Sequence, residues 1–584
     1  MTIAQDLTAR LRVALAECGV SEAEASRVGV TQAADLRFGD YQSNAAMVLA
    51  KLAKKNPRAL AEELVQALNV EGLAELEIAG PGFLNFRITN EGFAGRIKAL
   101  NVDERLGVGL VADPQRIVID FSAPNVAKPM HVGHIRSTII GDTLARVARF
   151  LGHDVTTDNH VGDWGTQFGM VTWAWKKEVD EAKLAEDPLG ELLRLYRLAN
   201  AACKTDEGVK EECRQELVKL QGGDEENLAI WKRCVEYSRQ GLESIYQRLD
   251  VSFDEWLGES SYNDRLAGLV EELETSGLAS ESEGALCIFS GGEGKDEEDP
   301  FRINREGEWT DNPMLVRKSD GGFNYATTDI ATIEYRAREW KSDAIWYVVD
   351  HRQNLHFRQL FEVARRMGHE MALAHIAFGT ILGKDGKPLK TRAGDLPELA
   401  DVLDDSVAAA RKVVEEKSRL ESSEEKDELA ELIGVSAVKF TELSHHRMSD
   451  YVFDLEKMVA LEGDTAPYLQ YSFVRVRSIF RKLDDEVELD ASACVLEEEA
   501  EIHLSRMLVR FGEVVPVVLD DFRPNLLANY LLELARAFHS FFEACPVLKA
   551  EEGTRMTRLV LCDLTARILE RGLGLLGIKV PEKM

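Results

Sequence analysis

RIVIDFSAPNVAKPMHVGHIRSTIIGDTLARVARFLGHDVTTDN, residues 116–159, decides the fold. Ile117, Ile119 and Phe121 alternate with their neighbours as a strand does, and Pro124 and Pro129 break the run into a loop. Ile135, Ile139, Thr143 and Val147 then recur at four-residue steps, which predicts a helix. Gly152 follows the last periodic position and suits a left-handed C-cap. DVTTDN is extended again, so the stretch reads as one βαβ unit with a right-handed crossover and parallel strands.

The same alternation returns downstream in GGFNYATTDIATIEYR, DAIWYVVDHRQNLHFRQLFEVARRMGH and HIAFGTILG. The predicted class is α/β, a doubly wound parallel sheet over residues 113–395. Insertions are expected from about 176 to 312: a charged helical stretch, then the acidic, turn-rich SGGEGKDEEDP of residues 290–300. Residues 1–112 read as a small α+β module, with helical periodicity at Leu7, Leu11, Ala14 and Leu15 and strand-like ELEIAGPGFLNFRITN. Residues 396–584 lose strand signals and read as an all-helical domain. A chain of 584 residues needs several cores in any case.

Composition narrows the function classes. A hydrophobic share of 45% and a charged share of 29% are those of folded globular chains. With no apolar run of membrane length, and an amino terminus that reads as an acid-bearing amphipathic helix, a soluble, unsecreted chain without membrane attachment is expected. Its eight cysteines are scattered without a CxxC pair, which fits reduced thiols in a cytoplasm. The 70 basic against 101 acidic residues give −31, a total that repels polyanions. Screening over roughly 8–10 Å still lets a local basic stripe meet phosphates. YSFVRVRSIFRK, residues 471–482, is such a stripe: Arg475, Arg477, Arg481 and Lys482 occur with no acid.

The chemistry begins at His131-Val132-Gly133-His134, where a strand hands over to a helix and open α/β sheets bind nucleotides. With 12 His and 43 Gly in the chain, HxGH is expected by chance only about 0.02 times. Gly133 leaves room for a purine against the backbone, and the helix amino terminus offers unpaired N–H groups to phosphate. Both imidazoles can donate to phosphate oxygens. In-line attack of a carboxylate on the α-phosphorus of ATP requires such fixed donors. His445-His446 lie on different helix faces without a Cys/His cluster nearby, so no structural zinc is expected.

These residues resemble arginyl-tRNA synthetases. SAPNVAKPMHVGHIRSTIIGDTLARVARFLGHDV is similar to the family's signature segment. GDYQSNAAM, GES, YATTD, HRQNLH, GDTAPYLQYSFVRVRS and GLGLLGIKVPEKM follow in family order along essentially the whole chain. The resemblance implies a class I Rossmann-like catalytic domain, an N-terminal tRNA-contacting module and a C-terminal anticodon-binding domain. It makes HVGH the counterpart of the HIGH motif and GKDGKPLKTRAG a degenerate KMSKS loop. His131, Gly133, His134, Lys128 and Lys390 would then bind ATP, with Lys387 in the same loop. Magnesium arrives with the nucleotide, mainly on phosphate oxygens.

A flat guanidinium calls for a carboxylate that can meet two of its donors. The resemblance makes Asp329 that acid, with Tyr325 one turn earlier and Glu259 closing the pocket. Asp120 would hold the α-amino group, and Asn125 and Gln353 would orient the carboxylate edge. Transfer RNA would meet Gln42 and Asn44 in the N-terminal module, and Tyr468, Tyr471, Arg475, Arg477 and Met584 at the anticodon. Phe542 departs from the family, which often has tyrosine there. The implied partners are tRNA(Arg) and L-arginine, the implied assembly a monomer, and activation is expected to wait for bound tRNA. Two other readings of HxGH stay open: a nucleotidylyltransferase acting on a small molecule, which leaves the helical tail without a task, and a non-catalytic RNA-binding paralogue.

Overall fold

A computed structural model describes residues 1–292, 295–390, 396–483, 487–492 and 494–584. The chain divides into two compact units. One comprises Ala112–Glu416 with Ile433–Val459; the other comprises Met1–Val111, Lys417–Leu432 and Ala460–Met584.

The first unit is built on the predicted βαβ stretch. Strand β1 (Arg116–Asp120), helix α1 (Gly133–Leu151) and strand β2 (Asp154–Asp158) follow in order. β1 and β2 pair in parallel, with Asp120 opposite Asp158. Gly152 ends α1 at φ 98°, the left-handed conformation a side chain would oppose. Farther on come α2 (Tyr325–Arg338), β3 (Ala344–Tyr347), α3 (Asn354–Arg366) and β4 (Ala372–His375). The sheet order is β4-β3-β1-β2, all parallel. The winding therefore reverses between β1 and β3, and the crevice beyond their carboxyl ends is the natural nucleotide site. Val118, Ile330, Ile333, Ile345 and Leu360 pack the α2/α3 side of this sheet.

Between β2 and α2 lie the insertions. Helices 166–178, 181–186, 188–205, 207–221 and 225–248 form their own core around Phe168, Val171, Leu192 and Leu195. Val126 and Ala127 of the loop after β1 belong to that same core. The expected division at 395/396 falls inside this unit: residues 396–416 and 433–459 go with the sheet. One reason is a buried ion pair, Arg136 of α1 with Glu442 at 2.8 Å. Arg136 also donates to the Arg447 and Ser449 carbonyls.

In the second unit the N-terminal module and the C-terminal helices pack together. The module has a four-stranded antiparallel sheet in the order 31–32, 41–43, 83–88, 74–79. The helices include α4 (Ala466–Phe480), α5 (Pro524–Ala544) and α6 (Glu552–Leu575). Asp40 of the module receives Arg506 at 2.6 Å, and Tyr41 Oη donates to Glu513 at 3.1 Å. Among the described residues no helix is long and apolar enough to cross a membrane.

Candidate active site

A cavity of about 520 Å³ opens beyond β1 and β3, with Ser122, Ala123, Val348 and Val349 at its floor. His131, Gly133 and His134 form one wall, and Phe378, Pro388 and Leu389 contribute others. The loop entering it is strained: Ser122, Ala123 and Ala127 have φ of 71°, 44° and 64°. Several bonds hold that geometry. Ser122 N–H donates to Ser137 Oγ at 2.8 Å, and Ser122 Oγ meets Tyr246 Oη at 2.7 Å. Ala123 N–H donates to Asn159 Oδ1 and Ala127 N–H to Ser238 Oγ. Ser238 and Tyr246 come from helix 225–248, so the charged helical insertion helps hold the loop after β1. No sequence spacing could have paired residues so far apart.

The two imidazoles stack with ring centroids 4.0 Å apart. His131 Nδ1 accepts the Gly133 N–H at 3.1 Å. His134 Nδ1 lies 3.1 Å from the His131 N–H and 3.2 Å from the His131 carbonyl. The backbone hydrogen of His131 has a fixed direction and points at Nδ1, so Nδ1 is assigned as its acceptor. Both rings thus carry their proton on Nε2 and stay neutral. Burial pushes the His134 pKa down to about 3, helped by His131. Burial, with the charges of Lys128 and Arg352, also lowers His131. Gly133 also leaves the His131 ring its place: a Cβ there would lie 2.9 Å from that ring.

The lysines are placed less uniformly. Lys128 Nζ sits 4.1 Å from the centroid of the Tyr196 ring, on the insertion. Lys387 and Lys390 are exposed on a hairpin whose Pro388 pairs back with Leu382 and lines the cavity. Thr391, next in that loop, lies outside the described residues.

Acids gather at the same end of the sheet. Asp329 and Tyr325 are one turn apart on α2, Tyr325 being 57% exposed at the helix start and no core residue. His356 Nε2 donates to Asp329 Oδ2 at 2.6 Å, and its ring lies edge-on to Tyr325. Glu259 is in the 310 turn Glu259–Tyr262, which Asp163 fixes by accepting Ser260 N–H and Oγ–H. Burial raises the Glu259 pKa, and the Asp329 and Asp163 charges add to the rise while His160 opposes it. Asn125 and Gln353 are exposed. Asp120, expected at the substrate's α-amino group, has another partner. It is 4% exposed and gives Oδ2 to Arg336 at 2.7 Å, which also holds Asp158 at 2.7 Å. Two carboxylates side by side at adjacent strand ends need a buried cation, and the fully buried Arg336, two turns beyond Asp329, supplies it. His356, His160 and Arg336 were missed in the sequence because their partners are brought near only by the fold.

The expected RNA residues lie in the second unit. Gln42 is half-buried in strand 41–43 and Asn44 is exposed at the following helix start. On α4, Tyr471 is 43% exposed and Tyr468 half-buried. The Arg475 guanidinium lies 4.6 Å from the centroid of the Phe542 ring and donates to His539 at 3.3 Å. Arg477 is held by Asp563 at 3.2 Å and Glu570 at 3.6 Å, so its charge is largely matched. Gln470 and Arg481 donate to the Lys579 and Glu582 carbonyls, which lays the tail along α4 and leaves Met584 half-buried. His445 donates to the Thr441 carbonyl and stacks on Tyr451, while His446 caps Met448. These bonds account for both histidines in local packing.

A parallel sheet with HVGH at its switch point, in a chain that also carries an α+β module and helical bundle, defines a class I aminoacyl-tRNA synthetase. The family model "tRNA synthetases class I (R), catalytic domain" matches residues 96–455, "Arginyl tRNA synthetase N terminal domain" matches 5–88, and "DALR anticodon binding domain" matches 469–584. The chain belongs to the arginyl-tRNA synthetase family. It is 45% identical to the arginine–tRNA ligase of Chromobacterium violaceum over the full length of both chains. To that of Rhodopirellula baltica it is 42% identical, over 95% of this chain and 96% of the relative. The arginyl-tRNA synthetase of Thermus thermophilus superposes with a TM-score of 0.80 at 25% identity, covering both chains fully. That of Plasmodium falciparum gives 0.81 at 28%, over 100% of this chain and 99% of the other.

Proposed function

We propose that this chain is an arginine–tRNA ligase: it activates L-arginine with ATP and transfers it to tRNA(Arg). In the first step an arginine carboxylate oxygen attacks the α-phosphorus, the bond to the β-phosphate bridge breaks, and pyrophosphate leaves. In the second a terminal ribose hydroxyl attacks the carbonyl carbon and AMP leaves. The Nε2–H groups of His131 and His134 donate to phosphate oxygens, and Gly133 keeps the first ring in place. Lys128, Lys387 and Lys390 supply positive charge, and Mg2+ enters with ATP on its phosphate oxygens. Asp329 clasps the guanidinium, Glu259 closes on it and Tyr325 covers its face. Asn125 and Gln353 orient the carboxylate edge, and Asp120, held by Arg336 through Oδ2, meets the α-amino group.

The observation that carries this reading is the placing of surplus carboxylate and neutral imidazole at one sheet end: a cation site beside a phosphate site. For RNA, Gln42, Asn44, Tyr468, Tyr471, Arg475 and Met584 are the assigned contacts, with Arg477 mainly holding α6. Aromatic faces and arginines suit unpaired loop bases. The free state of all eight cysteines supports a cytoplasmic setting, and three recognition tasks within one polypeptide support a monomer.

The test is arginine-dependent ATP–pyrophosphate exchange with and without tRNA(Arg). Exchange that needs arginine and rises on adding tRNA is expected. Exchange driven by a different small molecule, or RNA binding without exchange, overturns the proposal.

A further inference from the structure

His356 closes the HRQNLH motif without any of the roles assigned above, yet it touches the acid on which the proposed amino-acid recognition rests. It is the third residue of α3, its side chain only 12% exposed, and its Nε2–H meets Asp329 Oδ2 at 2.6 Å. Its ring stands edge-on to Tyr325, centroids 4.9 Å apart at 62°, and is backed by Phe357 at 5.4 Å. One imidazole therefore contacts both residues assigned to the guanidinium.

We propose that His356 is the positioning residue of the arginine pocket: it fixes the plane of the Asp329 carboxylate and the tilt of Tyr325, and so favours a flat guanidinium over a compact ammonium. The inference rests on the reading that Asp329 accepts the guanidinium. A carboxylate turns about a broad, twofold torsion, so its backbone and rotamer alone leave its plane loose. Asp329 is also the partly solvated member of the pair, at 27% side-chain exposure. A hydrogen bond from a packed imidazole removes that freedom. The geometry leaves the acid competent for substrate, because its two oxygens offer about four acceptor directions. His356 takes one on Oδ2; a bidentate guanidinium takes one on each oxygen. A spherical ammonium gains little from a fixed plane, whereas a planar fork must match it.

The experiment measures exchange with saturating tRNA for His356→Leu and His356→Gln, reading KM for arginine, KM for ATP, kcat and the inhibition constant of lysine. Glutamine places an N–H donor near the position of Nε2, and leucine places none. For His356→Leu we expect KM for arginine to rise roughly tenfold, the worth of one hydrogen bond to a charged group. The lysine constant, KM for ATP and kcat should move less than about threefold, as expected when only ground-state and transition-state binding of one planar group weaken together. His356→Gln should return KM for arginine to within about threefold of the parent. Parental KM in both variants overturns the inference, and so do equal losses in both or a parallel rise in KM for ATP, since those mark mere packing. Asp329→Asn run alongside separates the two levels: near-parental activity there removes the underlying reading, while its loss with an unchanged His356→Leu removes only the positioning role.

Discussion

The cavity proposed for the nucleotide and the acid cluster proposed for arginine share one end of one sheet and are built on opposite electrostatic plans. The first offers neutral donors: two stacked imidazoles, protonated on Nε2, at a helix amino terminus. The second has carboxylates in excess, Asp329, Glu259 and Asp163, with burial holding Glu259 above its ordinary pKa. In a chain of net charge −31, the proposed phosphate site stays receptive because the Asp350 carboxylate in its wall is matched by Arg352 at 2.8 Å, whereas the proposed cation pocket concentrates carboxylates. The sharpest way to break this contrast is Asp329→Asn, which turns one acceptor into a donor facing a guanidinium. We expect kcat/KM for arginine to fall by about 10³-fold or more, as in sites left with mismatched buried polar groups. Equilibrium ATP binding should be unchanged; near-parental exchange refutes the contrast.

The phosphate side should break more gently. His134→Ala removes one preorganised donor, so kcat for exchange should drop by about 10²-fold with KM for arginine held. Gly133→Ala sharpens the same point. Its Cβ would stand 2.9 Å from the His131 ring, so the ring must tilt, and an intermediate loss of about tenfold is expected. A Gly133→Ala enzyme with parental kinetics shows that the ring need not stand where it does.

How much of this was legible in the sequence follows the range of each interaction. The βαβ unit, its Gly152 cap and the position of HVGH lie within one continuous stretch, 116–159, and periodicity carries them. YATTD places Tyr325 and Asp329 on one helix face for the same local reason. The partners of those residues are not local: His356 reaches Asp329 across 27 positions, and Arg336 reaches Asp120 across 216. Asp120 shows the same dependence, since only the pairing of β1 with β2 sets Asp158 beside it and calls for Arg336. The grouping of residues 396–416 and 433–459 with the sheet has the same origin, in the buried Arg136–Glu442 pair.

A pH series probes the contrast without mutation. In the free site the Glu259 pKa is raised, chiefly by burial; a bound guanidinium stabilises its charged form and lowers it again. Arginine binding therefore favours the deprotonated enzyme. As pH falls through the raised value, KM for arginine should climb, approaching tenfold for each further pH unit. Glu259→Gln should flatten that limb while KM for ATP stays level in both enzymes. An unaltered acid limb in Glu259→Gln assigns the titration elsewhere.

The smallest effects belong to the RNA side, where α4 repeats the contrast in miniature. Arg475 has an aromatic face and an imidazole as its neighbours, and no carboxylate among the described residues; Arg477, half a turn on, has two. Only the first offers net positive charge to a phosphate. Arg475→Gln should raise KM for tRNA about fivefold and reduce the magnitude of its salt slope by about 0.7, the value of one released counterion on a single strand. Arg477→Gln should change KM for tRNA by less than about twofold and cost roughly 0–1 kcal/mol of unfolding free energy, because its partly exposed ion pairs are screened by solvent. Filter binding across salt concentrations checks both. A larger salt effect at Arg477 than at Arg475 means that RNA displaces Asp563 and Glu570 from the guanidinium, and the matched charge of the free protein is then a poor guide to its RNA-bound state.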